Sequence, residues 1–131
     1  MDAPRVLVIE DTEEILELIG ISLRSAGLVP DLVANGARGI ERLRETTPDA
    51  VVVDLHMPVM GGLEFCREVR DFSDVPILLI SGSAEGRGRR ISLEAGADEF
   101  MEKPFKPKVL VARIRELIED RGSGRVGADP I

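Results

Sequence analysis

Five times along the 131 residues a strand-like apolar run alternates with a helix-like stretch, and no other feature restricts the fold as much. Strands covered on both faces read as continuous apolar runs, and parallel neighbours need a crossover that is usually a helix. The pattern therefore predicts an α/β fold, a doubly wound five-stranded parallel sheet with helices on both faces.

The chain divides as follows. Residues 5–10 form the first strand, and residues 13–26 an amphipathic helix with Ile15, Ile19, Leu23 and Ala26 on one face. Thr12 is placed to cap that helix and Gly27 to stop it. Residues 28–34 form a weaker strand, and Pro30, which has no N–H to give to a ladder, puts it at a sheet edge. Asn35 caps a short helix ending near Thr47. Residues 50–54 form a second buried strand, followed by a loop over 55–61 marked by Pro58 and Gly61. Residues 62–70 are helical with Leu63, Cys66 and Val69 inward, and residues 76–81 form the third clear strand. A short helix over 85–95 is weakened by Gly86 and Gly88, each costing about 1 kcal/mol relative to Ala. A brief strand over 98–101 precedes a last helix over 107–121, with Leu110, Ile114 and Leu117 inward. Residues 1–121 are thus one domain, and residues 122–131 a flexible tail of linker composition.

Charge narrows the function. Seventeen basic against 24 acidic residues leave a net charge of −7, whereas a chain that binds nucleic acid unaided carries a basic stripe. Nothing after Arg121 is long enough to form a DNA-binding domain, so no direct nucleic-acid partner is expected. No apolar run approaches the ~20 residues of a membrane span, so no membrane partner is expected either. The single cysteine, Cys66, cannot form an internal disulfide, which suits a reducing cytoplasm. The acids are unevenly spread. Residues 1–75 hold 15 acids and 7 bases, while residues 76–131 hold 9 and 10.

In an open parallel sheet, chemistry collects at the carboxyl ends of the strands. Here the first strand ends in Glu10 and Asp11, the second buried one in Asp54 and the third in Ser81, and Lys103 follows the last. Three carboxylates brought together repel one another unless a cation compensates. Mg²⁺ does so with a few carboxylates, waters and a phosphate oxygen. Asp54 is then the candidate nucleophile, since a carboxylate can accept a phosphoryl group as an acyl phosphate. Ser81 and Lys103 are its candidate phosphoryl contacts. Singly, each residue has a plainer role: Ser81 as a cap, Glu10 and Asp11 as a solvated turn, Lys103 as a surface lysine.

The segments VLVIED, VVVDLHMPVMGG, ILLISGSA and GADEFMEKPF stand in order over nearly the whole chain. In these the sequence closely resembles receiver domains of two-component response regulators, of the single-domain, chemotaxis-regulator-like kind. The resemblance implies the flavodoxin-like strand order 2-1-3-4-5. It implies Asp54 as phosphoacceptor, Glu10, Asp11, Asp54 and the His56 backbone carbonyl around Mg²⁺, and Ser81 and Lys103 as phosphoryl contacts. It implies a sensor histidine kinase or histidine phosphotransfer protein as donor, and a downstream protein met through the fourth helix, fifth strand and fifth helix. Ser81 and Phe100 are the implied switch pair, and Lys103–Pro104 is an implied cis peptide. By the same resemblance the protein is a signalling switch, not a turnover enzyme, and is a monomer or a phosphorylation-dependent dimer.

The chain departs from the family pattern at several places. Gly82 stands where Ala is common, Phe100 lacks the hydroxyl of the common Tyr, and GRGRR replaces a firmer helix. Arg87, Arg89, Arg90, Lys106 and Lys108 form either a partner-docking patch or a plain solvated face. His56, the only histidine, reads as a loop residue rather than part of a metal-site signature. Two rivals are weighed against the switch. A dehalogenase-type phosphohydrolase needs a second Asp where His56 stands and has a cap domain this chain has no room for. A receiver-like binding module that is never phosphorylated would not need Glu10, Asp11, Asp54, Ser81 and Lys103 together.

Overall fold

The computed structural model describes residues 2–82 and 88–122. The element order is β1 (Arg5–Ile9), α1 (Glu13–Ser25), β2 (Val29–Val33), α2 (Gly36–Glu45), β3 (Ala50–Asp54), α3 (Gly62–Arg70), β4 (Ile77–Ser81), α4 (Gly88–Glu94), β5 (Glu99–Glu102) and α5 (Pro107–Gly122). The strands form one sheet in the order β2-β1-β3-β4-β5, every pair parallel. β2 lies at the edge, where the missing N–H of Pro30 breaks no ladder.

Every residue of β3 and β4 is buried, as both faces of the sheet are covered. One core gathers Leu7, Ile9, Val51, Val53, Ile77 and Leu79 under α2 and α3. The other gathers Val6, Val8, Val52, Leu78 and Ile80 under α1 and α5. Successive residues of each strand therefore serve opposite cores, the period-2 alternation of a pleated strand. Within α5, Leu110, Ile114 and Leu117 are buried as their spacing predicts.

Local details differ from the sequence reading. Thr12 occupies the N-cap of α1 but its side chain makes no capping bond; its backbone N–H instead donates to Oε2 of Glu10 at 3.0 Å. Asn35 does cap α2, accepting from the N–H of Arg38 at 2.9 Å. In α3 Phe65 is buried with Cys66 and Val69, while Leu63 is only partly covered. β5 runs one residue later than expected; Asp98 precedes it, its carboxylate accepting the N–H of Ile77 at 2.8 Å. Gly86 and Arg87 lie outside the described residues, as does the tail beyond Gly122.

Candidate functional site

The site stands where β1, β3, β4 and β5 end. Register places Ile9 beside Val53 and Asp54 beside Ile80, so Glu10 and Asp54 leave neighbouring strands at the same level. Ser81 is the last residue of β4 and fully buried, and its carbonyl accepts the N–H of Lys103 at 2.7 Å. That bond brings Lys103 back over the sheet, just before the cis Lys103–Pro104 peptide.

Glu10, Asp11 and Asp54 each offer a carboxylate oxygen within 4.8 Å of the others. Glu10 is 0% exposed and Asp54 4%, while Asp11 faces solvent. Nζ of Lys103 lies 3.2 Å from Oε1 of Glu10 and 3.2 Å from Oδ2 of Asp54. Only the second contact has hydrogen-bond geometry, which leaves buried Oε1 of Glu10 without a hydrogen-bond partner. The backbone N–H of His56 donates to Oδ1 of Asp54 at 3.2 Å, and the His56 residue is exposed.

The electrostatics follow from that placement. Burial pushes the Glu10 carboxyl above its ordinary value, and the charge of Asp54 adds to this, against the Thr12 N–H and the Lys103 ammonium. Burial alone would lower Lys103, but Asp54 and Glu10 hold it above its ordinary value. One ammonium thus serves two buried carboxylates, and the third acid leaves the cluster net negative. Such a set of hard oxygen donors, one of them a buried oxygen held only by its ion pair with Lys103, fits a small divalent cation.

The loop after β3 is folded tightly against this site. The N–H of Gly62 donates to the Leu55 carbonyl at 2.9 Å. A Cβ at Gly62 would stand 2.6 Å from the Asp54 carbonyl oxygen and 2.8 Å from Cα of Leu55, so only glycine lets α3 start this close to Asp54. Sequence reasoning marked Gly62 only as a helix start; its contact with Asp54 has no local signal. Further along the loop Val59 takes a φ of 70° and is fully exposed.

Phe100, on β5, is 4% exposed and packs in the α2–α3 core. Arg89 is tied to Glu99 at 3.0 Å and lies over the Phe100 ring, 5.9 Å from its centroid. Of the other expected patch residues, Arg90, Lys106 and Lys108 are exposed and Arg87 is outside the described residues.

The fold and the site together define a flavodoxin-like α/β domain with a cation-ready acidic cluster at its strand ends. The chain belongs to the response regulator receiver domain family, whose model matches residues 6–115. It is a signalling domain rather than a classical enzyme. Among curated proteins it is 37% identical to the transcriptional regulatory protein BaeR of Escherichia coli O6:H1, over 89% of this chain and 49% of that protein. It is 39% identical to the DNA-binding response regulator MtrA of Mycolicibacterium smegmatis, over 85% of this chain and 49% of that protein. The CheY-like receiver domain protein of Methanospirillum hungatei superposes with a TM-score of 0.87 at 23% identity, covering 93% of this chain and 98% of that one, a likeness of fold.

The chain spans about half the length of these curated relatives. Their names correct the expectation of no direct nucleic-acid partner, since MtrA is a DNA-binding response regulator. The net charge of −7 describes this chain alone and says nothing of what a protein twice as long binds. Among the described residues no helix is long and apolar enough to cross a membrane.

Proposed function

We propose that this receiver domain is a cytoplasmic switch that accepts a phosphoryl group on Asp54, from a sensor histidine kinase or histidine phosphotransfer protein, in a Mg²⁺-dependent reaction. The observation that carries this is the convergence of Glu10, Asp11 and Asp54 within 4.8 Å, with Nζ of Lys103 3.2 Å from Asp54. Asp54 is the nucleophile. Its carboxylate oxygen forms a bond to phosphorus as the phosphorus–nitrogen bond of a phosphohistidine breaks, and the imidazole nitrogen leaves with the electron pair. Lys103, released from its ion pair as Asp54 loses its charge to the new bond, turns to a phosphoryl oxygen. Ser81 donates its hydroxyl to another.

Glu10, Asp11, Asp54 and the His56 carbonyl are the residues that would hold Mg²⁺. When bound, the ion supplies charge neutralisation on the transferring group. Ser81 and Phe100 pass the change to the α4–β5–α5 face, where a partner is met. The relatives named as transcriptional regulators favour an output at DNA, through a part of the protein other than the receiver. Hydrolysis of the acyl phosphate resets the domain.

Incubation with Mg²⁺ and acetyl phosphate, followed by intact mass, tests this reading. A Mg²⁺-dependent phosphoryl adduct that is absent from Asp54→Asn is the expected result. Folded, Mg²⁺-binding protein that never gains the adduct would overturn it.

A further inference from the structure

The loop after β3 rests on the start of α2 through one thioether. Gly36, the first residue of α2, is buried, and a Cβ there would stand 3.0 Å from Sδ of Met60, 3.1 Å from its Cγ and 3.2 Å from its Cβ. The Met60 side chain therefore lies flat on the backbone of Gly36, a contact that a side chain at position 36 would disturb. Its other side is open. Met60 is half-buried and lines a cavity of about 480 Å³ with Ala34, Asn35, Ala37, Pro58 and Val59. A molecule as small as a peroxide can reach the sulfur from there. Met57 is also half-buried but is not part of that lining.

The surroundings suit what oxidation makes. Asn35 accepts the Arg38 N–H through its side chain at 2.9 Å and the Gly39 N–H through its carbonyl at 3.1 Å. The N–H groups of Gly36 and Ala37, the other orphan donors of the first turn, are left for an incoming acceptor. No acid in that turn offsets the positive end of the helix. A thioether is a weak acceptor, whereas oxidation turns it into a polar group with an oxygen to offer.

We infer that Met60 is a site of reversible oxidation, through which a peroxide acts on the loop that holds His56 and abuts Asp54. The thioether attacks one peroxide oxygen, the S–O bond forms as the O–O bond breaks, and the second oxygen leaves as water after proton transfer. Sulfur is oxidised by two electrons and the peroxide is reduced by two. The new oxygen has no room against the Gly36 backbone, so the side chain lifts and turns it into the cavity, where the first-turn N–H groups of α2 meet it. The shift travels along the loop because the loop is tied at the site: the His56 N–H to Oδ1 of Asp54, and the Gly62 N–H to the Leu55 carbonyl. All of this is read in protein that carries no phosphoryl group, so it stands or falls separately from Asp54 chemistry.

Hydrogen peroxide is the probe. Three of the four methionines, Met57, Met60 and Met101, lie within the described residues. Peptide mass mapping over a time course should show Met60 oxidised at least about threefold faster than Met57 and Met101. Met101 is the internal rival, since it borders the cavity beside Phe100. As the Met60 sulfoxide accumulates, the ¹⁵N-NMR amide signals of Gly36 and Ala37 should move downfield and that of His56 should shift. Methionine sulfoxide reductases should return all three signals. Met60→Leu nearly conserves volume and should show none of these shifts at the same peroxide dose. Oxidation of Met57 or Met101 ahead of Met60, unmoved Gly36 and Ala37 signals, or the same shifts in Met60→Leu would each overturn the inference. An unmoved His56 signal would do so too, since the sulfoxide would then be a surface lesion with no reach into the site.

Discussion

Replacing Arg70 by alanine is expected to be among the most destabilising single changes outside the cores. Its guanidinium reaches four acceptors: the carbonyls of Gly96 at 2.9 Å, Ser73 at 3.1 Å and Val75 at 2.8 Å, and the Asp98 carboxylate at 2.9 Å. A hydrogen bond to a charged group contributes ~1.5–3 kcal/mol, so four sum to roughly 6–12 kcal/mol before solvent is considered. The Arg70 side chain is 24% exposed and that of Asp98 23%, so water takes over part of what is lost. A discount of more than half leaves about 3 kcal/mol. With a urea slope of ~1.5 kcal/mol/M, the unfolding midpoint should fall by about 2 M. The chain has neither Trp nor Tyr, so helical circular dichroism is the probe of choice. A double-mutant cycle with Asp98→Asn should show about 1–3 kcal/mol of coupling. A midpoint drop below about 0.5 M would refute the reasoning, since it would mean that water satisfies these acceptors as well as the guanidinium does.

Three further outcomes are expected. Val59→Gly relieves a β-branched residue at a φ of 70° and should raise stability by about 1 kcal/mol, or Tm by about 4 °C, seen in thermal melts; an unchanged or lower Tm contradicts it. Gly62→Ala forces a Cβ against the Asp54 carbonyl and should lower the rate of acetyl-phosphate modification at least tenfold while the fold persists, with a wild-type rate as the contrary result. Burial alone would raise Glu99, but the Phe100 N–H together with Arg89 and Arg113 holds its carboxyl below the ordinary 4.5. Because that folded value lies below the unfolded one, its stabilisation is complete above pH 4.5 and fades as pH falls through the folded value. Glu99→Gln should therefore cost about 1 kcal/mol at pH 7, and the deficit should shrink below pH 4.5; a deficit that grows on acidification would reverse the assignment.

β1, β3 and β4 were legible because each is a compact apolar run, and Pro30 even marked the edge position of β2. Glu10, Asp11, Asp54, Ser81 and Lys103 were legible because a parallel sheet puts strand ends on one rim, so sequence order translates into proximity. What escaped notice depends on contacts across the fold. Arg70 reads as an ordinary basic residue at a helix end, yet its partners lie up to 28 positions away and three of them are backbone carbonyls. Phe65 was passed over for Leu63 because the helical period fixes a face only to within one neighbour. Gly88 was read as a weak point of a helix, whereas the nearest atoms to it across the fold belong to Phe100. The nucleic-acid expectation failed for another reason: surface charge on one domain carries no information about its neighbours in a longer protein.

The sheet also works as a partition. The residues that line the α1–α5 side and those that line the α2–α3 side come from alternate positions of the same strands, and share no side-chain space. Substitutions on opposite sides should therefore add nearly independently. A lineage of such proteins can repack the α1 side of the sheet while the core that holds Phe100 keeps its own packing. One small domain can thus be re-addressed many times without being reinvented.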